Sequence, residues 1–266
     1  MALPAASPPS PPRPLGPGEV ELALAPVALL DDPVRSARYR GLLAPDEAGR
    51  YEAYRVEGAR QQYLLTRALV RCTLSRHAPT PPEGWRFTAG ANGRPEIAGA
   101  PGPCFNASNA AGLVACAVTG GLAVGVDVEP HGSRAEVAAL GGRVLSPAEL
   151  AAAAALPPEA RADLALSLWT LKEAYAKALG LGLSLEPGAI TFTVGPAGIT
   201  LADAPGAAAA GRWHFLLLDH EGHRVALALA ARPARLEVWR ATPLVGFERI
   251  DPAGWAPPDA PRTAGR

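Results

Sequence analysis

Leu43-Ala44-Pro45-Asp46-Glu47 and Leu145-Ser146-Pro147-Ala148-Glu149 are two versions of one phrase, and taking them as copies decides the fold. Each reads as a helix start, with proline where its missing N–H costs nothing and acid at the positive end of the helix dipole. Working outward, further pairs recur in the same order at a spacing a little over one hundred residues. Trp85-Arg86-Phe87-Thr88-Ala89-Gly90 corresponds to Ile190-Thr191-Phe192-Thr193-Val194-Gly195. Each runs through a glycine-containing turn into a second apolar run, the pattern of a hairpin. Phe105 to Val118, broken at Ala110-Ala111-Gly112, corresponds to Phe215 to Ala228, broken at His220-Glu221-Gly222, and Val20-Glu21-Leu22 corresponds to Val126-Asp127-Val128. The common order and slowly growing offset predict an α+β fold of two similar α+β halves, packed as a pseudo-dimer with the active site at their interface.

The expected halves are residues 18–123 and 124–250, between a proline-rich leader (1–17) and a loose tail (251–266), both too poor in apolar patterning to pack. Over 266 residues, 25 basic and 25 acidic side chains balance, so no global field points to nucleic acid or an anionic membrane, and any anion site must be a local cluster. Cys72, Cys104 and Cys116 are too few for a disulfide framework and are expected as buried thiols, although Cys104 and Cys116 can face each other across paired strands. The N-terminus lacks the pattern of a signal peptide, and no apolar run reaches the roughly 18 to 20 residues of a membrane span. A cytoplasmic monomer is expected.

Two short stretches carry the chemistry. In Gly125-Val126-Asp127-Val128-Glu129 the two acids lie two residues apart on a strand and so share one face. In Trp169-Thr170-Leu171-Lys172-Glu173-Ala174-Tyr175-Ala176-Lys177, Glu173 and Lys177 are one helical turn apart. Over 162–179, Leu164, Leu168, Leu171, Tyr175 and Leu179 recur at helical spacing as the core stripe, leaving Lys172, Glu173 and Lys177 off it. Taken singly, each group has an ordinary reading: an exposed ion pair on a helix, or the solvated face of a half-buried strand. Taken together, three carboxylates offer Mg²⁺ oxygen ligands with positions left for water and phosphate, and Lys177 can neutralise that phosphate. His214, His220 and His223 match no strong ligand spacing and read as a solvated turn, and Trp85, Trp213 and Trp239 read as core.

The paired stretches, about forty residues apart, resemble the signature of 4'-phosphopantetheinyl transferases, in particular the pseudo-dimeric, surfactin-synthetase-activating class that modifies fatty-acid, polyketide and nonribosomal peptide carrier proteins. Phe105-Asn106-Ala107-Ser108-Asn109 resembles that family's segment upstream of the acidic strand, Gly93-Arg94-Pro95 its phosphate-binding turn, and Arg60 with the helix through Leu74 its basic helix. The resemblance implies that Asp127, Glu129 and Glu173 hold Mg²⁺, with Mn²⁺ as an alternative, against the pyrophosphate of coenzyme A. It implies that Lys177 contacts phosphate, Glu173 helps deprotonate the nucleophile, and Arg60, Arg94 and Ser108 bind the nucleotide end with its 3'-phosphate. Asn109 stands where many members carry His, so a contact that can be cationic in them is neutral here. The nucleophile would be a serine of an apo acyl or peptidyl carrier protein, and the leaving group adenosine 3',5'-bisphosphate. The alternative is a protein that binds coenzyme A or a carrier without turnover; a different Mg²⁺-dependent phosphotransferase lacks a P-loop to support it.

Overall fold

A computed structural model describes residues 11–99, 102–180, 185–195, 198–204 and 213–251. In chain order come β1 (Glu19–Pro26), α1 (Pro33–Arg40), α2 (Pro45–Ala53), α3 (Glu57–Ser75), β2 (Phe87–Ala89), β3 (Pro95–Ile97), β4 (Cys104–Ala110) and β5 (Leu113–Thr119). The same series then returns as β6 (Val124–Pro130), α4 (Arg134–Ala139), α5 (Pro147–Ala154), α6 (Pro158–Leu179), β7 (Thr191–Gly195), β8 (Gly198–Asp203), β9 (His214–His220) and β10 (His223–Leu229). A last hairpin, β11 (Arg235–Thr242) and β12 (Gly246–Ile250), follows.

The strands form two large sheets, ordered β12-β11-β1-β5-β4 and β6-β10-β9, with β2-β3 and β7-β8 as separate hairpins. Side-chain alternation sorts each central strand into two cores. Val20, Leu22 and Leu24 of β1, with Leu113, Ala115 and Ala117 of β5, meet Val124, Val126 and Val128 of β6 and Val225 and Leu227 of β10 in a core between the sheets. Ala23, Val114, Cys116 and Val118 face the other way, onto Leu65, Leu69 and other residues of α3. Ala226 and Ala228 pack on Leu168, Leu171 and Tyr175 of α6. The layers are therefore helix, sheet, sheet, helix, and strands buried on both faces account for the nearly unbroken apolar run of β5.

The two copies agree in detail. Glu19 O accepts from Gly120 N at 3.1 Å and Ala123 O from Ala230 N at 3.0 Å; Val27 N donates to Gly112 O and His131 N to Gly222 O, both at 2.9 Å. Glu47 and Glu149 each reach back to the backbone amide three residues earlier, at 2.9 and 2.8 Å. Each then meets a buried cation from the long helix of its own copy, Arg71 for Glu47 and Lys172 for Glu149.

Several expectations are corrected. Val20 pairs with Thr119 and Val124 with Leu229, while Pro26 and Pro130 close the two ladders, so Val20 corresponds to Val124 and Asp127 to Ala23. The sequence correspondence is two residues out of register because an alternating strand looks the same after a shift of two. Residues 235–250 complete the first sheet, not the second: β11 lies parallel to β1, with Val20 opposite Leu236. Residues 11–17 are not a loose leader, since Arg13 N donates to Arg76 O at 2.8 Å and Leu15 packs on the α3 core; residues 1–10 and 252–266 lie outside the described residues. Cys104 is opposite Thr119 and Cys116 opposite Ala107, so these thiols do not face each other. Lys172 is not off the core stripe but 1% exposed, because α6 is covered on several sides and Glu149 compensates the ammonium at 2.5 Å.

Candidate active site

The approach of α6 to β6 depends on Gly125. A Cβ there would stand 1.9 Å from Ala174 O and 2.5 Å from Ala178 N, so only hydrogen fits between strand and helix. The helix ends at Gly180, whose φ of 70° is the left-handed cap that glycine adopts without strain. Glu173 and Lys177 are thereby fixed over the strand that carries Asp127 and Glu129.

Asp127 is 4% exposed. Its Oδ1 accepts from Lys177 Nζ at 2.6 Å and Ser108 Oγ at 2.9 Å, while Lys177 Nζ also donates to Ser108 Oγ at 2.8 Å. This triangle crosses the seam between the copies, Ser108 coming from β4 and the other two from β6 and α6. Asp127 Oδ2 is buried with no hydrogen-bond partner. Glu129 Oε1 accepts from Trp169 Nε1 at 2.8 Å. Burial pushes the carboxyls of Asp127, Glu129 and Glu173 above the usual carboxylate range. The Asp127 charge raises Glu173 further, while Lys177 opposes the rise in all three.

Among the described residues no three His, Cys, Asp or Glu side chains are grouped closely enough to hold a metal ion as they stand. The donor set nevertheless fits a divalent cation. Three mutually repelling carboxylates face one ammonium, and the orphaned Asp127 Oδ2 is a hard oxygen with its lone pairs unengaged, the kind of donor that Mg²⁺ takes.

The remaining residues singled out from the sequence fall elsewhere. Ser108 donates to Asp127 and so joins the carboxylate centre. Arg94 bridges three backbone carbonyls, Lys177 O at 3.2 Å, Phe105 O at 3.2 Å and Val124 O at 3.3 Å, which ties β4, β6 and the end of α6 together. Arg60 pairs with Glu57 and lies over the Tyr51 ring. Asn109 Nδ2 donates to Thr66 Oγ1 on α3 at 3.3 Å. His223 is no solvated turn residue, as its Nε2 meets Ala111 O across the copies at 2.7 Å. Asn106 escaped the sequence analysis: its Oδ1 accepts from Val126 N at 2.9 Å, pinning the β4 edge to the acidic strand where no backbone ladder joins them. Between α3 and β4, around Asn109 and Thr66, lies a cavity of about 290 Å³ whose walls include Tyr63 and Arg67. Tyr63, Thr66 and Arg67, three and four residues apart on α3, share the helix face that lines it, a spacing readable from the sequence.

Residues 123–229 match the sequence profile of the 4'-phosphopantetheinyl transferase superfamily. The protein slr0495 of Synechocystis sp., whose name assigns it provisionally to the 4'-phosphopantetheinyl transferases, is 32% identical over 55% of this chain and 60% of its own length. The 4'-phosphopantetheinyl transferase HetI of Nostoc sp. is 29% identical over 53% of this chain and 61% of its own. The 4'-phosphopantetheinyl transferase Sfp of Bacillus subtilis is 26% identical over 56% and 65%. The matched stretch thus spans about three fifths of each relative. Among the described residues no helix is long and apolar enough to cross a membrane.

Proposed function

We propose that this chain, a member of the 4'-phosphopantetheinyl transferase superfamily through residues 123–229, transfers the 4'-phosphopantetheine group of coenzyme A to a serine of an apo acyl or peptidyl carrier protein. One observation carries the reading: Asp127, Lys177 and Ser108 meet across the seam between the copies, with Glu129 and Glu173 beside them and Asp127 Oδ2 unpartnered. The residues that would hold Mg²⁺ are Asp127, Glu129 and Glu173. Bound there, a divalent cation neutralises the charge of a pyrophosphate.

The reaction asks little covalent chemistry of the protein. The carrier serine oxygen bonds to the phosphorus next to pantetheine, the bridging P–O bond breaks, and adenosine 3',5'-bisphosphate leaves with the electron pair. Lys177 can swing its ammonium from Asp127 to a phosphate oxygen, so its charge is held ready at low reorganisation cost. Glu173, made more basic by burial and by the Asp127 charge, is suited to accept the serine proton. Trp169 fixes the rotamer of Glu129 through its indole N–H. Arg94, which braces β4 against β6 and α6, acts here by positioning Ser108 and Lys177 rather than by contact with nucleotide. On this reading Asn109, and Arg60 in the first turn of α3, would serve the nucleotide end of coenzyme A.

Incubation with an apo carrier protein, coenzyme A and Mg²⁺, followed by intact-mass measurement, tests the proposal. The carrier should gain one phosphopantetheine. Binding of both partners with no mass gain would replace transfer by a non-catalytic binding role.

A further inference from the structure

The geometry points to Asn106 as a positioning residue for the transfer proposed above, on which this inference rests: its amide oxygen stands in for a neighbouring strand on the open edge of β6 and so sets Ser108 against Asp127 and Lys177. β6 lies at the edge of its sheet, and among the described residues no strand is hydrogen-bonded to its outer side. Val124 and Val126 turn backbone groups that way, and both residues are 0% exposed, so bulk water cannot serve them. Two side chains of the first copy do so instead. Arg94 donates to Val124 O at 3.3 Å, and Asn106 Oδ1 accepts from Val126 N at 2.9 Å. One step further along the seam, Ser108 Oγ donates to Asp127 Oδ1 at 2.9 Å while accepting from Lys177 Nζ at 2.8 Å. Asn106 and Ser108 lie two apart on β4 and share the face turned to β6, whereas Phe105 and Ala107 pack toward α3. The grip of Asn106 on Val126 therefore fixes where β4 stands along β6, and with it Ser108, about 7 Å further on. A hydroxyl that meets a carboxylate and an ammonium at once tolerates little slip.

The second copy supplies the control. Matched through the turn pairs Ala110–Leu113 and His220–His223, Asn106 corresponds to Leu216 and Ser108 to Leu218. Both leucines pack in the apolar core between the sheets, so the fold does not require an amide or a hydroxyl at these two positions. The strand that corresponds to β6 is β1, and its matching edge carries β11, with Leu22, the counterpart of Val126, opposite Val238. Where backbone closes the edge, leucines suffice. Where the edge is left to side chains, an asparagine and a serine stand in their place. A strand laid along β6 as β11 is laid along β1 would occupy the seam through which Ser108 reaches Asp127.

Transfer kinetics in a double-mutant cycle test the assignment. Asn106→Leu installs the second copy's residue and should lower kcat about 10- to 100-fold, the scale of a misplacement of about 1 Å. KM for coenzyme A and for dephospho-coenzyme A should both stay within about threefold of wild type. In a Ser108→Ala background the same change should cost less than about threefold, because the group it positions is already gone. Asn106→Ala, which adds no bulk to the seam, is carried in parallel and should behave alike. A readout that needs no turnover is the carbon-13 signal of the Asp127 carboxyl in the metal-free protein, which should move in both Asn106 variants in the direction it moves in Ser108→Ala. Unchanged kcat, a full loss repeated in the Ser108→Ala background, a rise in KM for coenzyme A alone, or an Asp127 signal left at its wild-type position would overturn the assignment. Absence of transfer by wild type would instead count against the proposed activity, and the Asp127 signal would still decide the role of Asn106.

Discussion

Lys177 Nζ lies 2.6 Å from Asp127 Oδ1, an ammonium from the last turn of α6 resting on a carboxylate that is 6% exposed. Lys177 supplies the positive neighbour that so buried a carboxylate needs, and on the proposed function a bound metal would share that role. Asp127→Ala and Lys177→Ala should each lower turnover at least about a hundredfold, the scale of losing a preorganised charge at a developing one. Steady-state transfer at saturating Mg²⁺ is the measurement, with circular dichroism to show that both variants fold.

Acidity gives a second test, with a definite sign. Burial, and then the Asp127 charge, raise the Glu173 carboxyl above its unfolded value. Its contribution to stability is thus fully present below the usual Glu range and is lost as pH rises through the folded value. In chelator at neutral pH, Glu173→Gln should melt higher than wild type in a thermal denaturation scan. The gap should close below about pH 4, where the unfolded carboxyl is also protonated. With Mg²⁺ the order should invert, because wild type gains stability by binding and the variant does not.

Gly125→Ala should be costly although it adds one methyl group. Its Cβ would meet Ala174 O at 1.9 Å, and backbone cannot rotate aside as a side chain can. A loss of about 3 kcal/mol in urea titration is expected, the upper end for overpacking. The fraction still folded should transfer poorly, because α6 carries Glu173 and Lys177 away with it.

The pair Lys172 and Glu149 is expected to act on architecture rather than chemistry. Lys172→Met should destabilise by about 3 to 5 kcal/mol, leaving Glu149 buried without its cation. Glu149→Gln combined with Lys172→Met should recover part of that loss. A double-mutant cycle by denaturation is the check.

The halves were legible in the sequence because their markers are local: an early proline with a following acid, and glycines at the hairpin turns. The same-face placement of Asp127 and Glu129, and of Glu173 with Lys177, follows from periods of 2 and 3.6 and needed no tertiary knowledge. Long-range partners were not legible. Nothing near Lys172 announces Glu149, 23 residues earlier, and nothing near Arg94 announces that it will spend its donors on carbonyls of β4, β6 and α6. Asn109 was visible as a departure, but its hydrogen bond to Thr66 depends on how α3 lies on β4. The pairing of β11 with β1 was invisible for the same reason, since each strand is an ordinary apolar run by itself.

That parallel pairing bears on how the molecule is made. β1 leaves the ribosome some two hundred residues before its neighbour β11, so one edge of β1 stays open while the intervening chain is synthesised. Closing a loop of that length is slow compared with forming either β-hairpin. The first copy can collapse on α3 early but reaches its final form only when the second has been completed and the chain returns across it, which makes the assembly of the two copies a single, late event.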